Sequence, residues 1–165
     1  MFHLPVSARA MKFALAVAAA LAASACAKNA DDASQFGAGA GGPGSAQEFA
    51  TSVGDRVFFE TDSSELTSTA QATLSKQAAW LSRYANYSFT VEGHADERGT
   101  REYNFALGAR RAQAAHDFLV SKGISASRMR TVSYGKERPV ATCDDISCWS
   151  QNRRAVTVLS GAPSS

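Results

Sequence analysis

The sequence contains few of the side chains that bind metals or act as nucleophiles in enzymes. Three cysteines and three histidines occur among 165 residues; His3 lies near the N-terminus, and His94 and His116 lie in different segments. A catalytic zinc ion usually needs three protein ligands, so His94 with Asp96 alone does not make a site. None of the serines stands in a nucleophile-elbow pattern. We therefore predict no catalytic residue, no bound metal and no cofactor.

A strong excess of one charge is also absent. The chain has 17 Lys and Arg against 15 Asp and Glu, and no acidic residue precedes Asp31. Without Arg9 and Lys12, which come before Cys26, the basic and acidic residues are equal in number. Proteins that bind nucleic acid usually concentrate positive charge on one face. The charge therefore argues against a nucleic-acid partner and against electrostatic binding to acidic lipid.

No apolar run is long enough to span a membrane. The longest, FALAVAAALAA (13–23), follows Arg9 and Lys12 and is about half of the ~20 residues that a spanning helix needs. This arrangement predicts a signal peptide over residues 1–25. The small residues that end at Cys26 resemble a bacterial lipobox, which implies that Cys26 is acylated and anchors the chain in a membrane. The alternative is an ordinary secretory signal cut near Ala25, with Cys26 a free thiol.

If Cys26 carries lipid, two cysteines remain. Cys143 and Cys148 stand close together in CDDISC, and in a secreted protein such a pair favours a small disulfide loop. So short a loop would stabilise the fold by about 2 kcal/mol. The alternatives are two reduced thiols or a metal site, and the metal site is disfavoured because no second Cys or His pair lies nearby.

The chain divides into four parts by composition. After the signal peptide, the stretch KNADDASQFGAGAGGPGSAQ is rich in Gly, Ala and Ser and has few large apolar residues, which is typical of a flexible tether. Its length predicts a mean reach of roughly 25 Å. We therefore expect the lipidated N-terminus and tether over residues 26–48, one folded domain over 49–160 and a frayed tail over 161–165.

Strand and helix signals alternate through the folded part. Apolar alternation predicts the strands and 3.6-residue periodicity the helices, and Gly123 is a stop signal for the second helix. The predicted elements are a strand in DRVFFE (55–60), a helix with the stripe Leu74, Ala78, Leu81 and Ala85, a strand in YSFTVEGH (87–94), a helix from about Arg101 to Lys122, a strand in MRTVSYG (129–135), the cysteine loop and a strand in RRAVTVL (153–159). This order predicts an α/β sandwich with helices packed on a sheet.

One arginine stands on an apolar helix face. Leu107, Arg111, Ala115 and Leu119 are spaced by four, so Arg111 should lie on or beside the buried face. A buried charge must be paired, and Asp96, between the second strand and the helix, can face the helix start. The two would suit a ligand with both an ammonium and a carboxylate group, since arginine binds carboxylates bidentately. A plain internal salt bridge between them is the alternative.

The other polar residues around Asp96 favour simpler interpretations. His94 is predicted to form hydrogen bonds at a strand end rather than to act as a base. Glu97, Arg98, Arg101 and Glu102 are most simply a solvated loop and first helical turn, which could contact another protein.

The segments VEGHADERGTREYNFALGARRAQ, SYGKERPV and SQNRRAVTV resemble the OmpA-like C-terminal peptidoglycan-binding domain family and, within it, the peptidoglycan-associated lipoproteins. The resemblance covers about residues 50 to 160. It implies the order β-α-β-α-β-(loop or short helix)-β, with the helices packed on one mixed sheet. The family pattern at the first strand differs here, because Thr61 stands where an aromatic residue is usual.

The resemblance also implies a ligand and the residues that bind it. The family binds the meso-diaminopimelate of the peptidoglycan stem peptide, and its conserved aspartate and helix arginine match Asp96 and Arg111. The resemblance adds five further pocket residues, namely Asp62, Thr100, Tyr103, Asn104 and Leu107. The block QNRR, which ends at Arg154, is a family signature for which we expect a structural role.

The implied function is a non-catalytic link between membrane and cell wall. The family members are lipid-anchored in the outer membrane with the domain in the periplasm, and they bind TolB and TolA in the Tol-Pal system of envelope integrity and cell division. The alternative is a periplasmic adaptor for other proteins, in which Asp96 and Arg111 form only an internal salt bridge.

Overall fold

The computed structural model describes residues 41–161 of the chain. The predicted signal peptide, Cys26 and most of the predicted tether lie outside these residues. The helices are α1 (Ala46–Glu48), α2 (Ser68–Arg83), α3 (Arg101–Ser121) and α4 (Ile146–Asn152), with a π-helical turn at Phe49–Gly54 and a 3₁₀ turn at Ala126–Arg128. The strands are β1 (Arg56–Phe58), β2 (Ser88–His94), β3 (Met129–Gly135) and β4 (Arg154–Ser160).

The four strands form one mixed sheet in the order β1-β4-β2-β3. β4 is antiparallel to both β1 and β2, whereas β3 is parallel to β2. The alternation in β2 turns Phe89 and Val91 towards the helices, where they join Leu74 and Leu81 of α2 and Leu119 of α3 in the core. The predicted fold class, helices packed on one mixed sheet, is confirmed.

Two glycines bring α3 against β2 just before the site. A Cβ atom at Gly93 would lie 1.8 Å from the Gly108 carbonyl oxygen, and one at Gly108 would lie 2.9 Å from the Gly93 oxygen. Only glycine at both positions allows this approach of helix to strand. Since Arg111 follows Gly108 by about one helical turn, the contact places its side chain at the end of β2.

The helix ends follow the capping chemistry in the sequence. Thr100 is the N-cap of α3, and its hydroxyl accepts a hydrogen bond from the Tyr103 backbone N–H at 3.2 Å. α3 ends at Ser121, and Gly123 then adopts a φ of +92°, as the stop signal predicts. The predicted apolar stripe of α2 is correct for three of its members, but Ala85 lies beyond the helix end and is exposed.

The folded part begins before residue 49, the predicted domain boundary. The Gly44 carbonyl accepts a hydrogen bond from the Tyr87 hydroxyl at 2.8 Å, and the Glu48 carboxylate accepts one from the Trp80 indole at 2.9 Å. Ser45 is buried and caps α1. The boundary prediction missed these residues because Gly and Ser are typical of tethers, and the aromatic side chains that hold them lie 43 and 32 residues away in the chain.

The cysteine loop contains the short helix α4. Cys143 and Cys148 are joined by a disulfide. The Asp145 carboxylate caps the helix by accepting a hydrogen bond from the Ser147 N–H at 2.8 Å. Asn152 at its end binds the backbone of Val140 and Ala141 and so holds the preceding segment against the helix.

Candidate functional site

Asp96 lies at the carboxyl end of β2 and is 7% exposed. Its Oδ1 accepts hydrogen bonds from the Arg98 backbone N–H at 3.2 Å and from Arg98 Nε at 3.1 Å. Its Oδ2 accepts from Arg98 Nη2 at 2.7 Å and from Arg153 Nη1 at 3.4 Å. Burial acts to raise the pKa of Asp96, but the bonds from Arg98 and Arg153 outweigh it, so the pKa lies below its ordinary value. Asp96 is therefore a carboxylate at neutral pH.

Arg111 is fully buried, as its helical position predicts. It binds three backbone carbonyls: Nε donates to Ser63 at 2.8 Å, Nη1 to His94 at 2.9 Å and Nη2 to Glu60 at 3.1 Å. The Phe59 ring lies 5.2 Å from the guanidinium carbon. Burial and the neighbouring Arg153 charge lower the pKa of Arg111 to about 10, so the group remains a cation at neutral pH.

The alternative interpretation, an internal salt bridge between Asp96 and Arg111, is wrong. Among residues 41–161, Asp96 forms its salt bridges with Arg98 and Arg153. The hydrogen bonds of Arg111 go to carbonyl groups, which satisfy a buried guanidinium without a neighbouring carboxylate. The internal salt bridge that the adaptor alternative required is therefore not formed.

Arg153 is a site residue that the sequence reasoning missed. It is 5% exposed, donates from Nε to the Phe59 carbonyl at 3.0 Å and reaches Asp96 with Nη1. Its own carbonyl accepts from the Phe59 N–H at 2.9 Å, so it fixes the end of β1 to the start of β4. The sequence did contain a signal for this residue. Arg153 directly precedes the alternating apolar residues of β4, and an arginine at the start of a buried strand needs a hydrogen-bond or ion-pair partner. The neighbouring Arg154 is also buried and donates to the Arg138 carbonyl.

The site therefore holds more buried positive than negative charge. Arg111 and Arg153 are buried cations, while Asp96 is the buried carboxylate beside them. Arg111 has five N–H groups and uses three of them in the bonds described above, so two remain. A guanidinium with free N–H groups beside a second cation is suited to a carboxylate ligand.

Asp62 and Tyr103 form an exposed rim above the buried charges. The Tyr103 hydroxyl lies 3.4 Å from Asp62 Oδ1 and so bridges the loop after β1 to the first turn of α3. Asp62 has a φ of +54°, an unusual backbone conformation for a residue other than glycine. Thr100, exposed beside them, caps α3. The structure thus brings these three predicted residues to one exposed edge of the site.

Two other predicted residues support the site from beneath. Asn104 is buried and its amide donates to the Arg98 carbonyl at 2.7 Å, which holds the loop that follows Asp96. Leu107 is buried on the same helix.

His94 is a buried neutral side chain. Both ring nitrogens lack a hydrogen-bond partner among the described residues, which corrects the predicted hydrogen-bonding role. Its ring packs against that of Tyr134, with centroids 5.5 Å apart and the planes tilted by 33°. Burial, followed by the charges of Arg154, Arg138 and Arg56, lowers the pKa of His94 to about 4.

Arg98 is an exposed loop residue, as predicted, but its guanidinium is held by the side chains around it. Besides its bonds to Asp96, its guanidinium carbon lies 4.2 Å from the centre of the Trp149 ring. Trp149 belongs to α4, next to Cys148, and its indole N–H donates to the Glu97 carboxylate. The disulfide loop therefore borders the site through Trp149, a residue that the sequence reasoning did not single out.

No group of three His, Cys, Asp or Glu side chains within residues 41–161 is arranged to hold a metal ion. Over the same residues, no helix is both long and apolar enough to cross a membrane.

Comparison with known proteins relates the chain to a single family. The model of the OmpA family matches residues 58–153. A peptidoglycan-associated lipoprotein of Mesorhizobium japonicum is 64% identical over 155 residues, which are 91% of this chain and 92% of that protein. One of Rhizobium meliloti is 64% identical over 154 residues, 92% of this chain and 88% of the relative.

Solved structures give the same fold. The crystal structure of the peptidoglycan-associated lipoprotein from Burkholderia pseudomallei has a TM-score of 0.64 at 39% identity and covers 67% of this chain and 96% of that one. The C-terminal domain of Helicobacter pylori MotB, at 21% identity, has a TM-score of 0.62 and covers 66% of this chain and 86% of that one, a likeness of fold alone. The chain belongs to the OmpA family, and its relatives of high identity are peptidoglycan-associated lipoproteins.

Proposed function

We propose that the chain is an outer-membrane lipoprotein that binds peptidoglycan non-covalently through the meso-diaminopimelate of the stem peptide. In this proposal, lipid on Cys26 anchors the chain, the domain lies in the periplasm, and the protein links outer membrane to cell wall as part of a Tol-Pal system with TolB and TolA as partners. It performs no catalysis. The names of its relatives support wall association.

The observation that carries the proposal is the set of buried charges at the end of β2. The side chain of meso-diaminopimelate ends in an ammonium and a carboxylate on one carbon. The carboxylate would be attracted by Arg111 and Arg153, which exceed the buried negative charge beside them. The ammonium would be attracted by Asp96, whose lowered pKa keeps it charged.

Arg111 has no exposed surface, so a ligand would reach it only when the loop after β1 moves. That loop carries Asp62 and Ser63 and is held by the Arg111–Ser63 bond and the Asp62–Tyr103 contact. We propose that these contacts open for the ligand, with Asp62, Thr100 and Tyr103 lining its entry. Asn104 and Leu107 would then keep the start of α3 in place beneath it.

Attachment to a membrane would make modest affinity sufficient. Copies that are confined near a wall polymer meet many stem peptides at a high effective concentration. Many weak sites together then keep the membrane attached to the wall. Each site still releases and rebinds its stem peptide, so a protein partner can compete for it.

The test is a titration of the chain from Ala27 onward with the tripeptide L-Ala–γ-D-Glu–meso-diaminopimelate, followed by NMR. The backbone signals of Asp96, Thr100 and Tyr103 should shift with saturation. The matched peptide with L-lysine, which lacks the side-chain carboxylate, should bind at least about tenfold more weakly, because the buried cations would be left without their anion. Unmoved signals with both peptides would refute the proposal and favour an adaptor for other proteins that does not depend on a salt bridge between Asp96 and Arg111.

Binding to whole peptidoglycan gives a second measurement. The chain should sediment with purified sacculi, and Asp96→Asn should reduce that fraction. Asp117→Asn is the matched control, because Asp117 is an exposed acid of α3 that contacts His116 and Gln113. Equal sedimentation of the two variants would exclude Asp96 from wall binding.

A further inference from the structure

The acceptor positions of Asp96 are all occupied in this structure. A carboxylate has about four lone-pair sites. Three accept from Arg98, through its backbone N–H, Nε and Nη2, and the fourth accepts from Arg153 Nη1. A ligand ammonium therefore cannot bind Asp96 by simple addition, and one of the present donors must leave.

Only one of these donors is free to leave. The Arg98 backbone N–H is fixed by the loop, whose carbonyl is bound by Asn104. Arg153 is buried and also binds the Phe59 carbonyl, so its departure would leave that carbonyl without a donor. The side chain of Arg98, in contrast, is 40% exposed and can move into water without such a loss.

Trp149 holds Arg98 over the carboxylate. The guanidinium carbon lies 4.2 Å from the centre of the indole ring, a distance typical of a cation–π contact. Trp149 is itself held by its hydrogen bond to Glu97 and by its place in α4. The Cys143–Cys148 disulfide ties this helix to the segment before it. The arrangement gives Arg98 one favoured position in the free protein.

We infer that the Arg98 guanidinium occupies the position of the ligand ammonium on Asp96, and that binding of the stem peptide displaces it. This inference rests on the proposed function and adds a competitor within the same site. Arg98 keeps the buried carboxylate paired when no ligand is bound, and so lowers the apparent affinity. It also favours a ligand cation, because an uncharged group in its place would leave the buried carboxylate of Asp96 with Arg153 as its remaining charged donor.

The test compares Arg98→Ala with Arg101→Ala in the chain from Ala27 onward. Arg101→Ala removes the same charge three residues away, but Arg101 pairs with Glu137 rather than with Asp96. Isothermal titration with the diaminopimelate tripeptide should show that Arg98→Ala lowers Kd about two- to fivefold, the range set by the strength of a partly exposed ion pair. Arg101→Ala should leave Kd unchanged.

Two further measurements report displacement directly. In the wild-type chain, the NMR signal of Arg98 Nε–Hε should move towards that of a solvated arginine as the tripeptide binds. Trp149 emission should change at the same ligand concentration, and Arg98→Ala should abolish that change.

The outcomes separate this inference from the proposed function. If wild type binds the tripeptide and Arg98→Ala binds it equally or more weakly, Arg98 is not a competitor and the inference is overturned, while the proposed function stands. An Arg98 Nε–Hε signal that stays in place on saturation overturns it as well. If wild type does not bind the tripeptide, the proposed function fails and the inference fails with it.

Discussion

A substitution at Arg111 would measure how much this buried cation contributes to the stability of the fold, apart from any contribution to ligand binding. Replacing it by methionine keeps an unbranched side chain of similar length and removes the five N–H donors. The His94 carbonyl, which lies in a buried bond, would lose this donor at a cost of about 1–3 kcal/mol. The Glu60 and Ser63 carbonyls lie in part-buried bonds and can turn to water, so we expect about 0.5–1.5 kcal/mol from each.

These contributions predict a loss of about 2–6 kcal/mol for Arg111→Met, a large part of the 5–15 kcal/mol that stabilises a typical domain. The assay is urea denaturation of the chain from Ala27 onward, where the midpoint should fall by more than about 1 M. Arg110→Met is the matched control, because Arg110 is the preceding residue of the same helix and is exposed. Its effect should stay within about 0.5 kcal/mol.

Equal midpoints for the two variants would refute the reasoning, since they would mean that the three carbonyl bonds of Arg111 do not stabilise the fold. So large an expected loss of stability also affects the design of binding experiments with Arg111 variants. Loss of wall binding in Arg111→Ala is informative only where that variant is shown to be folded, whereas Asp96→Asn leaves the three carbonyl bonds in place.

Three other perturbations have expected outcomes. Gly93→Ala should destabilise by more than about 3 kcal/mol, because its Cβ would meet a helix carbonyl at 1.8 Å, while Gly42→Ala, which meets nothing within 4 Å, should be neutral in the same urea series. Replacing Cys143 and Cys148 together by serine should lower stability by no more than about 2 kcal/mol, and a larger loss would contradict the short-loop argument. His94 has a pKa lowered to about 4 from 6.5, so the unfolded chain takes up the proton first and stability should fall by about 3 kcal/mol as pH drops from about 6.5 to 4. His94→Phe should remove most of that slope, and an unchanged slope would assign it to other groups.

Much of the fold could be predicted from the sequence because it depends on periodicity. The alternation of Tyr87, Phe89 and Val91 identifies β2, and the spacing of Leu107, Arg111 and Leu119 places an arginine among buried residues, which the structure has. Both inferences need only the geometry of one element.

The contacts between distant segments could not be predicted in the same way. The partners of Arg111 are carbonyl groups, which every residue carries, so no sequence pattern marks them. The extension of the folded part to Gly44 depends on Tyr87 and Trp80, which reach it from elsewhere in the chain. Arg98 lies in a segment whose polar composition is typical of a solvated loop. It becomes part of the site because the folded chain places its side chain between Asp96 and Trp149.

The two ends of the proposed ligand would make unequal contributions. At Asp96 an ammonium replaces a guanidinium, so one charged pair is exchanged for another and little affinity is gained. At Arg111 and Arg153 a carboxylate meets two buried cations, which outnumber the buried carboxylate of Asp96. It also meets N–H groups of Arg111 that do not bind a carbonyl in the free protein. The affinity for a stem peptide should therefore come mainly from its carboxylate, and Asp96 should act mainly by rejecting ligands that cannot replace Arg98. Under the proposed function, this division would explain why the site contains three arginines around one aspartate.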